Sequence, residues 1–169
     1  MRYITLFRGL LPSVLLVCSA ALVPAIAYGD LKLGNVYECP ADLPPVNPEV
    51  PKPSIELFVN EPWLTAIREG RKKVEGRAGT RQTYANWVGQ QVRFCSAEQE
   101  VIVTVLAVHH YETLSAFLDA EGWQNAAPHL GSREETTTQY LEFYPGDFIA
   151  RHGGMNGIII EVNNSTATR

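Results

Sequence analysis

The densest group of chemically capable side chains in this chain lies between residues 70 and 77. The segment reads Gly-Arg-Lys-Lys-Val-Glu-Gly-Arg, so eight residues hold four cations and one carboxylate. Lys72 has a cation on each side, and like charges disfavour its protonated amine. A partly buried Lys72 could therefore serve as a base or a nucleophile near neutral pH. On a solvated basic edge, Lys72 would only contact an anion.

The other charges of this segment favour anion binding. Glu75 and Arg77 are two residues apart, so on a strand they would share a face with Lys73. Strict alternation would then point Lys72 the other way, although it need not hold so soon after Gly70. An ion pair between Glu75 and Arg77 would orient the guanidinium for a phosphate or a carboxylate.

Cationic and aromatic side chains around the segment could complete a ligand site. Aromatic rings beside cations can stack on nucleic-acid bases, and the loop after the segment supplies two of them. Trp63, at helical spacing with Ile67, is instead expected in the core. The residues expected to contact a ligand are Arg71, Lys73, Arg77, Arg81, Tyr84 and Trp87.

The segment also carries a family resemblance. The pattern Gly-x-Lys-x-x-Glu-x-Arg is the hallmark of the ASCH domain, a relative of the PUA fold, and this segment resembles it. The fixed places are filled by Gly70, Lys72, Glu75 and Arg77. The similarity extends over about residues 55–162, with element signals in the same order. It implies an α+β fold built on a PUA-like β-barrel with about three helices.

The resemblance further implies a catalytic set. Some ASCH-type enzymes that remove the acetyl group of N4-acetylcytidine look as if they use a lysine, a threonine and a glutamate. Lys72 matches the lysine, and Glu121 fits the glutamate at a helix C-terminus, where a carboxylate opposes the helix dipole. Glu75 stands where those enzymes have threonine, and an ionised carboxylate cannot replace a hydroxyl as nucleophile or donor. The expected catalytic residues are therefore Lys72, Glu75 and Glu121, with Glu75 in the place of the threonine.

The first 27 residues differ in composition from the rest of the chain. Arg2 and Arg8 precede an uncharged apolar stretch that closes on Ala25-Ile26-Ala27. This pattern predicts a secretory signal cleaved after Ala27, with an uncleaved membrane anchor, an organelle leader or a misassigned start codon as alternatives. Cleavage would remove two arginines and no acid, so the net charge would change from −4 to −6. Duplex DNA is then not an expected partner, because duplex affinity comes mostly from neutralised phosphates.

Export to the secretory pathway or outside the cell would determine the state of two cysteines and two asparagines. Cys39 and Cys95 would remain after cleavage and could form one disulfide, with two unpaired thiols as the alternative. Asn163 and Asn164 begin overlapping acceptor triplets for N-glycosylation, just past the last expected strand.

Proline density and residue patterns divide the chain. Six prolines in the fourteen residues 40–53 predict an extended spacer. The chain therefore divides into a signal peptide or anchor at 1–27, a Pro-rich spacer at 28–53, an ASCH-like domain at 54–163 and a disordered tail at 164–169. Strand signals within the domain are Ile55–Val59, Lys73–Arg77, Gln91–Cys95, Val101–Val108 and Gly157–Val162. Helix signals, with capping residues and Gly or Pro stops, cover residues 60–70, 113–122 and 132–144.

These patterns predict a domain that binds RNA, or a modified nucleoside or nucleotide, in a cationic cleft after the first helix. The alternatives are an amidohydrolase acting on an acylated pyrimidine nucleoside, with Lys72 as base, and an exported protein that keeps the fold without either activity. A membrane is a partner only if the leader stays uncleaved. No cofactor or metal is expected, since the adjacent His109 and His110 would face opposite sides of a strand and no cysteine–histidine spacing is typical of zinc.

Overall fold

A mixed five-stranded sheet with helices packed on it forms the domain. The computed structural model describes residues 39–43 and 51–163. The elements, in chain order, are β1 (Ile55–Phe58), α1 (Trp63–Arg68), β2 (Val74–Ala78), a 3₁₀ turn (Ala85–Trp87), β3 (Gln91–Cys95), β4 (Glu100–Tyr111), α2 (Leu114–Glu121), α3 (Trp123–Ala126), α4 (Arg133–Phe143), α5 (Phe148–Arg151) and β5 (Met155–Val162). The order across the sheet is β1-β3-β4-β5-β2, with β1 parallel to β3 and the other neighbours antiparallel.

The sheet curls until its two edge strands approach each other. β1 and β2 lie at opposite ends of the strand order, yet the guanidinium of Arg77 on β2 donates to the carbonyl of Phe58 at the end of β1, at 3.1 Å. The expected α+β class is therefore confirmed, and the sheet is a curled half-barrel. A side-chain contact, rather than strand pairing, joins its edges.

Two tyrosines lie beside the outer edge of β2. Tyr140 belongs to α4, and Tyr144 is the residue that follows its last turn. The Tyr140 phenol packs directly on Gly76, where a Cβ atom would lie 2.4 Å from its hydroxyl oxygen.

Apolar side chains are buried on both faces of the sheet. Val103 and Val105 on β4 are fully buried on the concave face, and Phe117 of α2 is fully buried against the other face. Leu106 is the exposed residue of the run 101–108. That side chain is 51% exposed and lies where the register of β4 against β5 shifts. A bulge of this kind turns a side chain away from its regular position.

The structure contains more helices than the three expected. Gly122 ends α2 as predicted, but α3 begins directly after it, and α5 adds a second four-residue helix. Thr113 caps α2, and Ser132 caps α4 through the backbone N–H of Glu135, as their sequences predict. Short helices of this kind leave little periodicity in a sequence.

The first described residues, 39–43, are held on the sheet. Cys39 and Cys95 form a disulfide with a Cα–Cα distance of 5.6 Å. Residues 39–43 contain a turn, and the carbonyl of Pro40 accepts a hydrogen bond from Arg93 at 3.0 Å. Lys52 donates to the carbonyl of Ala41 at 3.1 Å, so the chain on both sides of residues 44–50 is joined.

Several expectations fall outside the described residues. These are the leader at 1–27, most of the spacer, the tail and Asn164. In the part of the chain that the structure describes, no helix is long and apolar enough to cross a bilayer. Asn163 continues the sheet: its backbone N–H donates to Ile102 at 3.0 Å, and its side-chain oxygen accepts from Thr104 at 2.7 Å. It is therefore held by β4 rather than projecting from a tail.

Candidate functional site

Glu75 and Arg77 point into the concave side of the sheet. Glu75 pairs with Ile158 and Arg77 with Asn156, and both partners on β5 are completely buried. Directly opposed residues of an antiparallel pair lie on the same face. The prediction that Glu75 and Arg77 share a face is therefore confirmed.

Lys72 joins them because the strand has not yet begun at its position. Gly70 has a φ of 71°, a left-handed conformation that glycine adopts without strain. The turn it makes carries the backbone N–H of Lys72 to the carbonyl of Ala66 in α1, at 2.9 Å. Strand alternation starts only at Val74, so Lys72 points inward while Lys73 is exposed. Lys73 is exposed, whereas Lys72 and Glu75 are buried.

The ammonium group of Lys72 has three acceptors. Its Nζ lies 2.7 Å from the carbonyl oxygen of Val74, 2.5 Å from that of Ala126 and 3.1 Å from Oε2 of Glu75. The same nitrogen lies 4.7 Å from the centroid of the Trp63 ring. An ammonium has three hydrogens, so each can be used by one of these acceptors.

Arg77 completes what we call the inner cluster: Lys72, Glu75 and Arg77. Its Nε donates to Oε1 of Glu75 at 2.7 Å, so the carboxylate bridges the two cations. The side chain of Lys72 is 0% exposed and that of Glu75 is 8% exposed, whereas that of Arg77 is 26% exposed. Arg77 is thus the member of the cluster that a ligand can reach.

Burial and charge act against each other on these pKa values. Burial lowers the pKa of Lys72, and the carboxylate of Glu75 only partly offsets this. Burial alone would raise the pKa of Glu75, but Lys72 and Arg77 outweigh it and hold that pKa below its usual value. Burial would also lower the pKa of Arg77, yet nearby Glu75 and the tyrosines raise it. Glu75 is therefore a carboxylate, and Arg77 a cation, at neutral pH.

Two tyrosines lie near Arg77. Tyr84 and Tyr144 are close enough to interact electrostatically with its guanidinium, and burial raises the pKa of both phenols. Tyr84 also packs edge-on against Trp87, with ring centroids 4.9 Å apart. Both residues of this pair are half-buried in the loop between β2 and β3. The expected aromatic pair therefore lies beside the inner cluster.

The other cations expected at the site lie on the surface around it. Arg71 is exposed and forms an ion pair with Glu69, two residues away. Lys73 and Arg81 are also exposed. Cations at such positions can raise the local concentration of an anion, but they do not fix its geometry.

Glu121 lies on the opposite face of the sheet. Gly76 pairs with Gly157, and a Cβ atom at these positions would lie 2.8 and 3.2 Å from Phe117 of α2. A Cβ atom at Gly157 would also come within 3.1 Å of the Glu121 side chain. Both glycines therefore face α2 and Glu121. Because successive residues of a strand alternate, Glu75 faces away from them.

A separate cluster on that face engages Glu121. Its Oε1 accepts from the phenol of Tyr111 at 2.5 Å and lies 2.7 Å from Nδ1 of His109. The expected catalytic set is thus divided by the sheet: Lys72 and Glu75 lie together, and Glu121 does not join them.

One residue near the site was missed by the sequence analysis. His129 packs edge-on against Trp63 with centroids 4.3 Å apart, and its Nδ1 is buried without a hydrogen-bond partner among the described residues. Burial and the nearby charges of Lys72 and Arg71 lower its pKa, so it is neutral. As a single histidine in a loop, it carries no sequence pattern that could have identified it.

A depression elsewhere on the surface does not suit an anion. It has a volume of about 260 Å³ and lies between the end of β1 and the β3–β4 turn. Glu61 and Glu98 line it. Within residues 39–43 and 51–163, no three histidine, cysteine or acidic side chains come together as a metal site would require.

Comparison with known proteins identifies similar structures but no family. No protein-family model and no curated protein matches the chain. A crystal structure described as hypothetical protein PH0355 is similar, with a TM-score of 0.56 and 27% sequence identity over 63% of this chain and 96% of that one. A solution structure of protein PF0455 from Pyrococcus furiosus has a TM-score of 0.53 and 27% identity over 65% of this chain and 97% of that one. Neither description names a ligand or an activity.

Proposed function

We propose that this domain is an ASCH-type module that binds a nucleotide or single-stranded RNA at the inner cluster. The observation that carries the proposal is the difference in exposure within the cluster. Lys72 and Glu75 are almost entirely buried, whereas a quarter of the Arg77 side chain (26%) is exposed. A guanidinium held in place by Glu75 and the carbonyl of Phe58 is pre-oriented for an incoming anion.

The charge of the cluster supports an anionic ligand. Two cations and one carboxylate leave one positive charge, and it is located on the residue that a ligand can reach. Arginine has five N–H donors in a planar fork that matches phosphate oxygens. The protein interior strengthens such a contact, because the local dielectric constant is below that of water.

The aromatic pair supports a ligand that also carries a base. Tyr84 and Trp87 form a half-buried pair beside Arg77, and a base can stack on such rings regardless of its identity. The net charge of −4 argues against general affinity for duplexes, so binding must be local. Phosphate at Arg77 and base at the aromatic pair is the arrangement we propose.

The amidohydrolase alternative has less support. Its proposed base, Lys72, donates to three acceptors, and Glu75 accepts from both cations. Neither group can therefore transfer a proton without breaking these contacts. Glu121 is on the other face of the sheet and bonds Tyr111. Burial does lower the pKa of Lys72, which is the one observation in favour of a base.

Equilibrium binding to labelled hexauridylate tests the proposal. The full chain is expected to bind at low salt, and the logarithm of the affinity should fall linearly with the logarithm of salt concentration, by about 0.7 per phosphate contacted. A DNA duplex of equal length serves as the control and should bind more weakly. Lack of hexauridylate binding at low salt would contradict the proposal and leave a protein that keeps the fold without this activity.

Incubation with N4-acetylcytidine tests the alternative. We expect no release of cytidine above the level without protein. Release that disappears in Lys72→Ala but persists in Glu121→Gln would instead support a hydrolase built on the inner cluster. Circular dichroism of both variants establishes that each is folded.

We also propose that the protein is exported to the secretory pathway or the cell exterior. The disulfide between Cys39 and Cys95 supports this, because such bonds persist in oxidising compartments. N-terminal sequencing of the native protein is expected to begin at Tyr28, after cleavage behind Ala27. A chain that begins at Met1 and fractionates with membranes would support the anchor instead.

A further inference from the structure

A row of stacked rings leads away from the inner cluster to the surface. Tyr140, Tyr144, Phe148 and His152 occur at intervals of four residues, in α4 and α5 and at the residue that follows each helix. Successive ring centroids are 6.5, 5.5 and 3.7 Å apart, with interplanar angles of 30°, 28° and 14°. The rings therefore become closer and more nearly parallel toward His152. We call these residues the aromatic row.

His152 ends the row at the surface of the protein. Its ring stacks on Phe148 on one side, while the residue as a whole is exposed. The ring is also fixed in orientation, because its Nδ1 lies 2.7 Å from the carbonyl oxygen of Phe148. A flat, oriented aromatic face that is open to solvent is a stacking surface for another ring. Little side-chain entropy remains to be lost when a ring stacks there.

Hydrogen bonds connect this end of the row to the loop beside Arg77. The backbone N–H of Gly79 donates to the carbonyl of Gly154 at 3.0 Å. Asn156 is completely buried, and its amide donates to the carbonyls of Gly79 and Thr80 at 3.0 and 3.3 Å. The turn after His152 and the start of the loop that carries Tyr84 are thus one connected structure. Arg77 interacts electrostatically with Tyr144, in the middle of the row.

We propose that the exposed ring of His152, stacked on Phe148, is a second base-stacking subsite. The inference rests on the proposed function, and it specifies the ligand. A mononucleotide has one base and cannot occupy two stacking subsites, whereas a single strand of several nucleotides could place one base at the aromatic pair and another on His152. The ligand is therefore a single-stranded oligonucleotide rather than a nucleoside or a mononucleotide.

The test compares hexauridylate with uridine monophosphate on the full chain. His152→Ala should weaken hexauridylate binding about tenfold, since base–aromatic stacking has about that effect on affinity. It should leave the affinity for the monophosphate unchanged. His152→Phe keeps a flat ring and should bind hexauridylate as the unmodified chain does. His109→Ala is the matched control, because His109 is also exposed (54%) but bonds Glu121 on the other face of the sheet.

The outcomes separate this inference from the proposed function. If hexauridylate binds the unmodified chain and His152→Ala equally, while Arg77→Met loses both ligands, the second subsite is refuted and the proposed function stands. If His152→Ala weakens both ligands to the same degree, the residue acts on the whole site and the inference is again refuted. If neither ligand binds the unmodified chain, the proposed function and the subsite both fail.

Discussion

Arg77 and Arg93 are strand arginines of the same curled sheet, but they are used differently. Arg93 lies on β3, is 1% exposed, and bonds Glu100 at 2.5 Å, Glu56 at 2.9 Å and the carbonyl of Pro40 at 3.0 Å. Arg77 lies on β2, is 26% exposed, and bonds one carboxylate and one carbonyl. Arg93 thus has three protein partners, whereas part of Arg77 still faces solvent.

The difference shows how to distinguish a structural ion cluster from a binding site. Around Arg93, two carboxylates meet one cation, and the disulfide-linked segment 39–43 covers the group. Around Glu75, two cations meet one carboxylate, and the side chain of one cation, Arg77, is 26% exposed. A buried charge must be paired in either case. Only the second arrangement gains from an added anion.

Breaking the disulfide should have the largest effect on stability and none on the site. Cys39→Ser opens a loop of 56 residues, and the lost restriction on the unfolded chain should lower the free energy of unfolding by about 4 kcal/mol. Urea titration measures this change. Binding of hexauridylate by the folded variant should stay the same. An unchanged urea midpoint would mean that linking segment 39–43 to the sheet beside Arg93 does not stabilise the protein.

Replacing Arg93 should have the next largest effect on stability. Arg93→Met removes the guanidinium from Glu100 and Glu56, and breaking a buried pair in this way typically costs about 3 kcal/mol of unfolding free energy. Thermal unfolding with the disulfide intact tests this. A variant as stable as the unmodified chain would show that the Arg93 group is not a structural cluster.

Neutralising the bridging carboxylate should have a smaller, pH-dependent effect. Glu75→Gln should lower the free energy of unfolding at pH 7 by about 2 kcal/mol, since its hydrogen bonds are to charged groups. The pKa of Glu75 is lower in the folded than in the unfolded state, so the unfolded chain takes up the proton first. Its contribution is thus complete above about pH 4.3 and lost as the pH falls through the folded value.

Urea titrations of both chains between pH 7 and pH 2 measure that difference. The gap between the unmodified chain and Glu75→Gln should close on the acidic side. A gap that stays constant down to pH 2 would show that the charge of Glu75 contributes nothing.

The smallest effect is expected across the sheet, at Glu121. Glu121→Gln keeps an acceptor for Tyr111, so the free energy of unfolding should change by about 1 kcal/mol. The affinity for hexauridylate should not change. A tenfold loss of affinity in the folded variant would show that the two faces of the sheet are coupled and that our separation of the sites is wrong.

Much of the sheet could be predicted from sequence, because its signals are local. The β-branched run from Val101 to Val108 and the alternation from Gln91 to Cys95 correspond to strands. Thr113 and Gly122 bound α2 as capping chemistry requires. By contrast, α3 and α5 have four residues each, which is too short for a helical period to be detected.

The site was harder to predict, because it depends on side chains that are distant in sequence. Lys72 points inward owing to the turn at Gly70, which strand alternation does not describe. The cluster around Arg93 joins residues 40, 56, 93 and 100, and no spacing rule connects them. His152 stacks on Phe148 in a helix separate from α4, so its spacing from Tyr140 in the sequence did not predict a row of rings.

The most direct test of the distinction replaces each arginine with methionine and measures hexauridylate binding at a temperature where both variants are folded. We predict that Arg77→Met binds at least about tenfold more weakly and that its salt dependence falls by about 0.7, the contribution of one phosphate contact. Arg93→Met should bind as the unmodified chain does. Equal affinity of Arg77→Met and the unmodified chain would contradict the account, because the exposed guanidinium would then not be the point at which an anion binds.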